Sequence, residues 1–376
     1  NHISSDSWPI YISLQKDGIL FKMRRTQDLP DKESATMFFQ DCKLAHQAQI
    51  TGIRHSVKEI LPPDLLDLTQ LQKEANIRYG FTASEVYDIA QSLYEKKLIS
   101  YPRTSSRYLT EDVFDSLPPI MARLLSWELF PAAKGTAGID ISSLSRHVIN
   151  AEKANIHHAI IITGIRPGKM SEKEMQVYRL VAGRMLEAFM APCRIETTTV
   201  EAVCAAQHFK AEQTRIIEAG WHDVFMRSDM VPKSGYSVNE LPEVKKGDNL
   251  NVCGCNMVHK KQLPVDPFTD AELVEYMELN GLGTVSSRTN IIRTLVNRKY
   301  IRYSGKYIVP TPKGMFTYET IRGKKIADTS LTAEWEKQLI GLESGMITGQ
   351  DFLNRIRTLA KEMTDDIFNT YSTKEE

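Results

Sequence analysis

The stretch Gly80–Leu109, GFTASEVYDIAQSLYEKKLISYPRTSSRYL, decides how the rest of the chain is read. Thr82-Ala83-Ser84-Glu85 is a capping box: the threonine accepts from a free amide of the first helical turn, and the glutamate reaches back to the cap. Val86, Ile89, Ala90 and Leu93 then follow one helical face. The helix gives way to a short extended step at Ser100-Tyr101. Pro102 fixes its own φ near –65° and disfavours helix at the residue before it. Side chains alternate along an extended segment, so Tyr101 and Arg103 point to one side. A phenol beside a guanidinium suits attack on a phosphodiester: the oxygen is the nucleophile, and the cation binds the phosphate and its developing charge. The plainer reading is a surface tyrosine after a helix.

Outward from this stretch, the chain alternates between β and helical character. Residues 1–62 read as β throughout. Ile10, Ile12 and Leu14 alternate with polar residues, Asp17-Gly18 turns the chain, and Ile19 and Phe21 resume. Residues 63–192 read as helical, with further helices over 111–126 and 171–190. Residues 193–265 return to β, with strands expected at Thr197–Val203 and His208–Glu218 and a turn at Lys245–Asp248. Residues 266–376 are helical again, opened by a second capping box, Thr269-Asp270-Ala271-Glu272, and interrupted by a hairpin over Tyr300–Thr311. Two β sections flanking a helical one suggest a single β domain interrupted by an insertion, an α+β chain.

A shift of 202 residues superposes Thr82 on Thr284, Ile89 on Ile291, Leu93 on Leu295, Lys97 on Lys299, Ile99 on Ile301 and Tyr101 on Tyr303. Each copy reads helix, turn, helix, strand. That is winged-helix order, in which the second helix meets nucleic acid.

The chain has 376 residues and is 42% hydrophobic, enough for two to four modules. Its net charge of zero hides a local contrast. Between Gly281 and Ile326 ten Lys and Arg face a single acid, Glu319, whereas Ala327–Glu376 holds ten acids and five bases. Tyr300, Tyr303 and Tyr307 interleave with the bases, a pattern suited to stacking unpaired bases beside a phosphate backbone. The alternative is a solvated helix face balanced elsewhere. Lys96, Lys97, Arg103 and Arg107 repeat the basic pattern around Tyr101. The five cysteines form no CxxC pair, so no zinc site is expected, and they suit a reducing cytoplasm. No apolar run approaches membrane-spanning length.

Asn155-Ile156-His157-His158-Ala159-Ile160-Ile161-Ile162-Thr163 places two histidines at the start of an apolar run. Two adjacent histidines without a third ligand do not make a metal site. A histidine beside a phosphate can donate a hydrogen bond.

With these strings in view, the chain resembles the type IA DNA topoisomerases, most closely the topoisomerase III-like branch. Leu71–Leu109 resembles the active-tyrosine segment. Asn155–Gly164 resembles the family's HHAIIPT string, Gly281–Ile301 its GIGTPATRAAII segment, and Leu331-Thr332-Ala333-Glu334 a later TAE region. The resemblance implies a toroid: a β arch carrying a tyrosine-bearing winged-helix domain, then returning to a second winged-helix domain. It implies that Tyr101 is the nucleophile, Arg103 its phosphate partner and His157 an active-site histidine. It places Thr284, Ser287 and Arg288 at strand-contacting positions, and Lys97, Arg107 and Arg293 join them as candidate DNA contacts. Ser105 stands where the family has aspartate, and Ile162 and Val285 stand where it has proline.

The family also has a Toprim domain whose glutamate and aspartates bind Mg2+. No DxDxE motif occurs here, and the chain begins without methionine. It therefore reads as a core piece without that domain, expected to hold no metal itself and to bind single-stranded DNA as a cytoplasmic monomer associated with the bacterial nucleoid. A winged-helix DNA-binding protein without catalysis is the alternative reading.

Overall fold

The computed structural model describes residues 6–127, 129–130, 144–154, 157–225, 233–261 and 266–372. These fall into two compact units. One takes in Asn1–Pro63, Phe130 and Leu186–Asp266; the other takes in Asp64–Leu129, Asp140–Met185 and Pro267–Glu376.

The first unit starts with the expected hairpin. Strands β1 (Ile10–Lys16) and β2 (Ile19–Arg25) pair with Lys16 opposite Ile19. Asp17 and Gly18 between them have φ of 51° and 80°, the left-handed pair that matches strand twist in a two-residue turn. Next comes a helix, α1 (Lys32–Leu44), which corrects the all-β reading of this section. Its signal is local: Asp31 accepts a hydrogen bond from the Ser34 amide, and Glu33 sits in the first turn.

Strand β3 (Gln47–Ile60) pairs antiparallel with β4 (Cys193–Cys204), from Gln49 opposite Val203 to Ile60 opposite Cys193. The chain thus leaves the sheet at Ile60 and re-enters beside the same residue, so the intervening segment is an insertion into one β domain. With β5 (Gln207–Glu218) and β6 (Asn249–Met257) the strands close into a barrel in the order β1-β2-β5-β4-β3-β6. Ile10, Ile12, Leu14, Met23, Ile50, Val200, Phe209 and Ala211 fill it. The alternation that marks β1 in the sequence is the inward-facing set of this barrel. Beyond the barrel the outer part of β3, Arg54–Glu59, and the end of β5, Arg215–Glu218, are exposed, and they carry Val57, Ile216 and Ile217 among charged and polar residues. Trp221 is buried against that end and donates from Nε1 to the Ile60 carbonyl at 2.9 Å. Gly220 before it has a φ of 53°, and a Cβ there would clash with the Ala191 and Pro192 carbonyl oxygens, so only glycine fits.

The second unit contains the two helical sections. In the first are α2 (Leu68–Tyr79), α3 (Ala83–Glu95), α4 (Glu111–Asp115), α5 (Leu117–Ser126), α6 (Ala151–Ala154) and the start of α7 (Glu172–Phe189). In the second are α8 (Asp270–Leu279), α9 (Val285–Asn297), β7 (Ile301–Ser304), β8 (Tyr307–Pro310), α10 (Pro312–Ile321), α11 (Thr329–Glu343) and α12 (Gly349–Ser372).

The 202-residue repeat is real in three dimensions. Asp67 caps α2 by accepting from the Gln70 amide, and Thr269 caps α8 by accepting from the Glu272 amide. Thr82 and Thr284 both form capping boxes, at α3 and α9. Lys97 and Lys299 both take left-handed backbone, with φ of 60° and 61°. The following amides close the helices identically, Leu98 to the Leu93 carbonyl and Tyr300 to the Leu295 carbonyl, each at 2.9 Å. The strand partner differs in origin. Ile99 bridges Ile162, which lies far along the chain, while Ile301 pairs with Pro310 of the adjacent β8.

The two copies pack on each other. Ala83, Val274, Met277, Ile292 and Ile308 form a shared core. The Gln72 side-chain amide donates to the Ala83 carbonyl and to the Thr289 hydroxyl, both at 2.9 Å. The buried Asp270 carboxylate accepts from the Ala83 amide and, at 3.0 Å, from the Tyr303 hydroxyl.

Candidate active site

Tyr101 and Arg103 fold back onto one stripe of α3. Tyr87, Gln91 and Tyr94 recur there at helical spacing and so share a face. The Tyr101 ring meets the edge of Tyr94, centroids 5.3 Å apart, and lies 4.5 Å from the His157 ring. The Arg103 guanidinium sits over Tyr87, 5.1 Å from its centroid, and its Nη2 donates to Gln91 Oε1 at 3.1 Å.

Hydrogen bonds between distant segments hold this arrangement. The Thr104 hydroxyl donates to the His157 carbonyl at 2.8 Å, and the Ser100 hydroxyl to the Ala159 carbonyl at 3.1 Å. The Ser100 amide donates to the Ile161 carbonyl, and the Ile160 amide to the Leu66 carbonyl, each at 2.8 Å. The apolar run after the histidines is therefore a buried rail, with Ala159, Ile160, Ile161 and Ile162 all inside. It sets His157 beside Tyr101. The first two residues of that motif, 155 and 156, lie outside the described residues. The Ile162 amide donates to the Met185 sulfur, a bond that a proline at this place would lack. Ser105 is exposed.

The remaining candidates divide by environment. Lys97 is exposed, and its carbonyl accepts from the Thr163 hydroxyl at 2.7 Å. Arg107 bonds through Nε to the buried Asp67 at 2.6 Å, where burial raises the Asp67 pKa. Thr284 and Ser287 form the first turn of α9 around their own capping bonds. Arg288 is 8% exposed, with Nε and Nη1 lacking hydrogen bonds and Glu278 at 3.6 Å. Burial lowers its pKa. Arg293 is engaged by Ser84 and by both oxygens of Asp88, at 3.0 and 2.8 Å.

The basic segment Gly281–Ile326 is also partly answered by its own unit. Lys324 and Lys325 pair with Asp366 and Glu362 of α12. Tyr300 lies under Lys313 and Tyr307 under Lys306. Arg298, Lys299 and Arg302 are exposed and carry no ion pair among the described residues. Among those residues no group of three or more His, Cys, Asp or Glu is arranged to hold a metal ion. The described residues thus offer no fit for the Mg2+ that the resemblance assigns to a Toprim domain.

The family model described as DNA topoisomerase matches residues 1–354. The chain belongs to the DNA topoisomerase family. DNA topoisomerase 3 of Bacillus licheniformis is 32% identical over 344 residues, covering 85% of this chain and 47% of that protein. DNA topoisomerase 3 of Bacillus subtilis is 30% identical over 355 residues, covering 87% and 48%. Among solved structures, full-length topoisomerase I from Thermotoga maritima matches with a TM-score of 0.72 at 22% identity, over 95% of this chain and 58% of that one. The α+β topoisomerase fold is thereby shown. The chain spans about half the length of the curated relatives it matches.

Tyr87, Gln91 and Tyr94 are not among the candidate site residues read from the sequence. The signal is available, since all three lie on the α3 face over which a Tyr-Pro-Arg step must fold back.

Proposed function

We propose that this chain forms the strand-cleaving core of a type IA DNA topoisomerase. The single observation that carries this reading is the placing of Tyr101, Arg103 and His157 around one α3 face in a chain of this family. Tyr101 Oη attacks a backbone phosphorus of single-stranded DNA. A new P–O bond forms, the 3′ oxygen leaves and takes up a proton, and the 5′ phosphate stays on tyrosine. Reversal of the same step reseals the strand, so the exchange of one phosphoester for another needs no ATP. Arg103 holds the phosphate and offsets its developing charge. His157 donates to the same group. The phenol must lose its proton on attack.

The four-part division of the chain, the monomeric state, a cytoplasmic site of action, and a Toprim domain bearing the Mg2+ of the whole protein belong to the same proposal. No described helix is long and apolar enough to cross a membrane.

The test is Tyr101→Phe in the intact protein containing this chain. Phenylalanine keeps the ring packing against Tyr94 and His157 and removes only the attacking oxygen. DNA affinity should change little, because a neutral hydrogen bond is worth about 0.5–1.5 kcal/mol. The covalent adduct should vanish, while Tyr94→Phe and Tyr303→Phe still form it. An adduct mapped by mass spectrometry to any tyrosine other than Tyr101 rejects the assignment.

A further inference from the structure

Arg103 is held by neutral groups. Gln91 Oε1 accepts from Nη2 at 3.1 Å, and the Tyr87 ring covers one face. Nε is buried without a hydrogen bond. Nη1 has no protein partner among the described residues. The Gln91 amide is itself oriented, because its Nε2 donates to Glu95 Oε1 at 2.8 Å one helical turn on. That donation points the amide oxygen at Arg103. The result is a relay along one α3 face, Glu95 to Gln91 to Arg103, that ends on a guanidinium paired with no carboxylate among the described residues.

A carboxylate at the Gln91 position would bind Arg103 more tightly, since charge-assisted hydrogen bonds are about twice as strong as neutral ones. It would also compete with phosphate for the same cation. An amide oxygen fixes the position and leaves the charge to the substrate. We infer that Gln91, oriented by Glu95 and assisted by the Tyr87 ring, is a positioning residue that presents Arg103 to the scissile phosphate. This rests on the reading of Tyr101 as nucleophile and Arg103 as its phosphate partner.

The experiment measures single-turnover cleavage of a single-stranded oligonucleotide by the intact protein, with oligonucleotide affinity measured in parallel. Gln91→Met keeps the side-chain volume and removes the acceptor. Cleavage should slow about tenfold, the worth of one well-placed hydrogen bond, while affinity stays within about twofold. Gln91→Glu should slow it further. In an Arg103→Ala background Gln91→Met should have no additional effect, because residues acting through one another are not additive.

A Gln91→Met rate equal to wild type overturns the inference. So does the same loss with Arg103 absent, or a loss that tracks affinity, since either marks a role in packing. Thermal melting of each variant separates these results from unfolding. Tyr101→Phe, run beside them, tests the underlying reading: if it still forms adduct, that reading fails. If it does not and Gln91→Met is silent, only the positioning role fails.

Discussion

Lys73 on α2 and Glu275 on α8 stand 202 residues apart, at the same place in the two copies of the repeat, and they bond to each other, Nζ lying 2.6 and 2.8 Å from the two carboxylate oxygens. Equivalent elements of the two copies face each other here, α2 against α8 and α3 against α9. The helix pairs therefore pack as a small internal dimer, with like helix against like.

This pairing is not what holds the copies together. Both side chains of the pair are about a third exposed. A double-mutant cycle on Lys73→Ala and Glu275→Ala should give a coupling below about 1 kcal/mol. Asp270→Ala should cost about 3 kcal/mol, because it strands the buried Ala83 amide and the Tyr303 hydroxyl. Urea unfolding compares the two, and a Lys73–Glu275 coupling larger than the Asp270 effect contradicts this ranking.

Glu174 gives a pH dependence of known sign. Lys96 at 2.5 Å, with the Ser171 amide and the Ser92 hydroxyl, holds its carboxyl down at about 2, against an ordinary value of 4.5. Its folded pKa lies below its unfolded one. Its contribution to stability is therefore complete above about 4.5 and is lost as pH falls toward about 2. Glu174→Gln should flatten the stability profile across that window and leave the slope above it unchanged. An unchanged acid limb in urea titrations at several pH values refutes the assignment.

DNA affinity should follow which arginines are free rather than which are present. Arg298→Ala and Arg302→Ala should each weaken binding to a single strand and reduce the log–log salt slope by about 0.7 for each phosphate no longer neutralised. Arg293→Ala should leave the slope unchanged and lower stability instead, since Ser84 and Asp88 occupy that guanidinium. Fluorescence anisotropy over a salt series reads the slopes. A slope change confined to Arg293→Ala would reverse this map.

Lys299 sits in left-handed backbone at φ 61°. A residue with a Cβ is strained there by roughly 1–2 kcal/mol, and glycine is not. Relative to Lys299→Ala, Lys299→Gly should therefore stabilise the fold by about 0.5–1 kcal/mol after its extra unfolded-state entropy. Equal midpoints in urea for the two variants would show that the strain is relieved elsewhere.

Signals that act within one turn of the chain are legible from residues alone. The capping boxes at Thr82 and Thr269, the Asp17-Gly18 hairpin and the alternation in β1 each depend on atoms a few residues apart. The repeat is legible for the same reason, because two copies of one local pattern meet the same backbone demands. The helix α1 escapes such a reading although its cap is equally local, because the β alternation on either side of it masks the polar Asp31–Glu33 start.

The sequence by itself thus determined most of the elements, the capping boxes at Thr82 and Thr269, the Asp17-Gly18 turn and the Tyr-Pro-Arg step. Only the tertiary structure decided that β3 and β4 pair across more than a hundred residues and that His157 comes to lie beside Tyr101. It also decided that Arg107 and Arg293 spend their charges on Asp67 and Asp88 while Arg298 and Arg302 do not. The physical reason is one of range. A cap or a turn is satisfied by its own neighbours, whereas the partner of a long cationic side chain is whichever carboxylate packing brings within about 4 Å, and a linear pattern of charges carries no record of that distance.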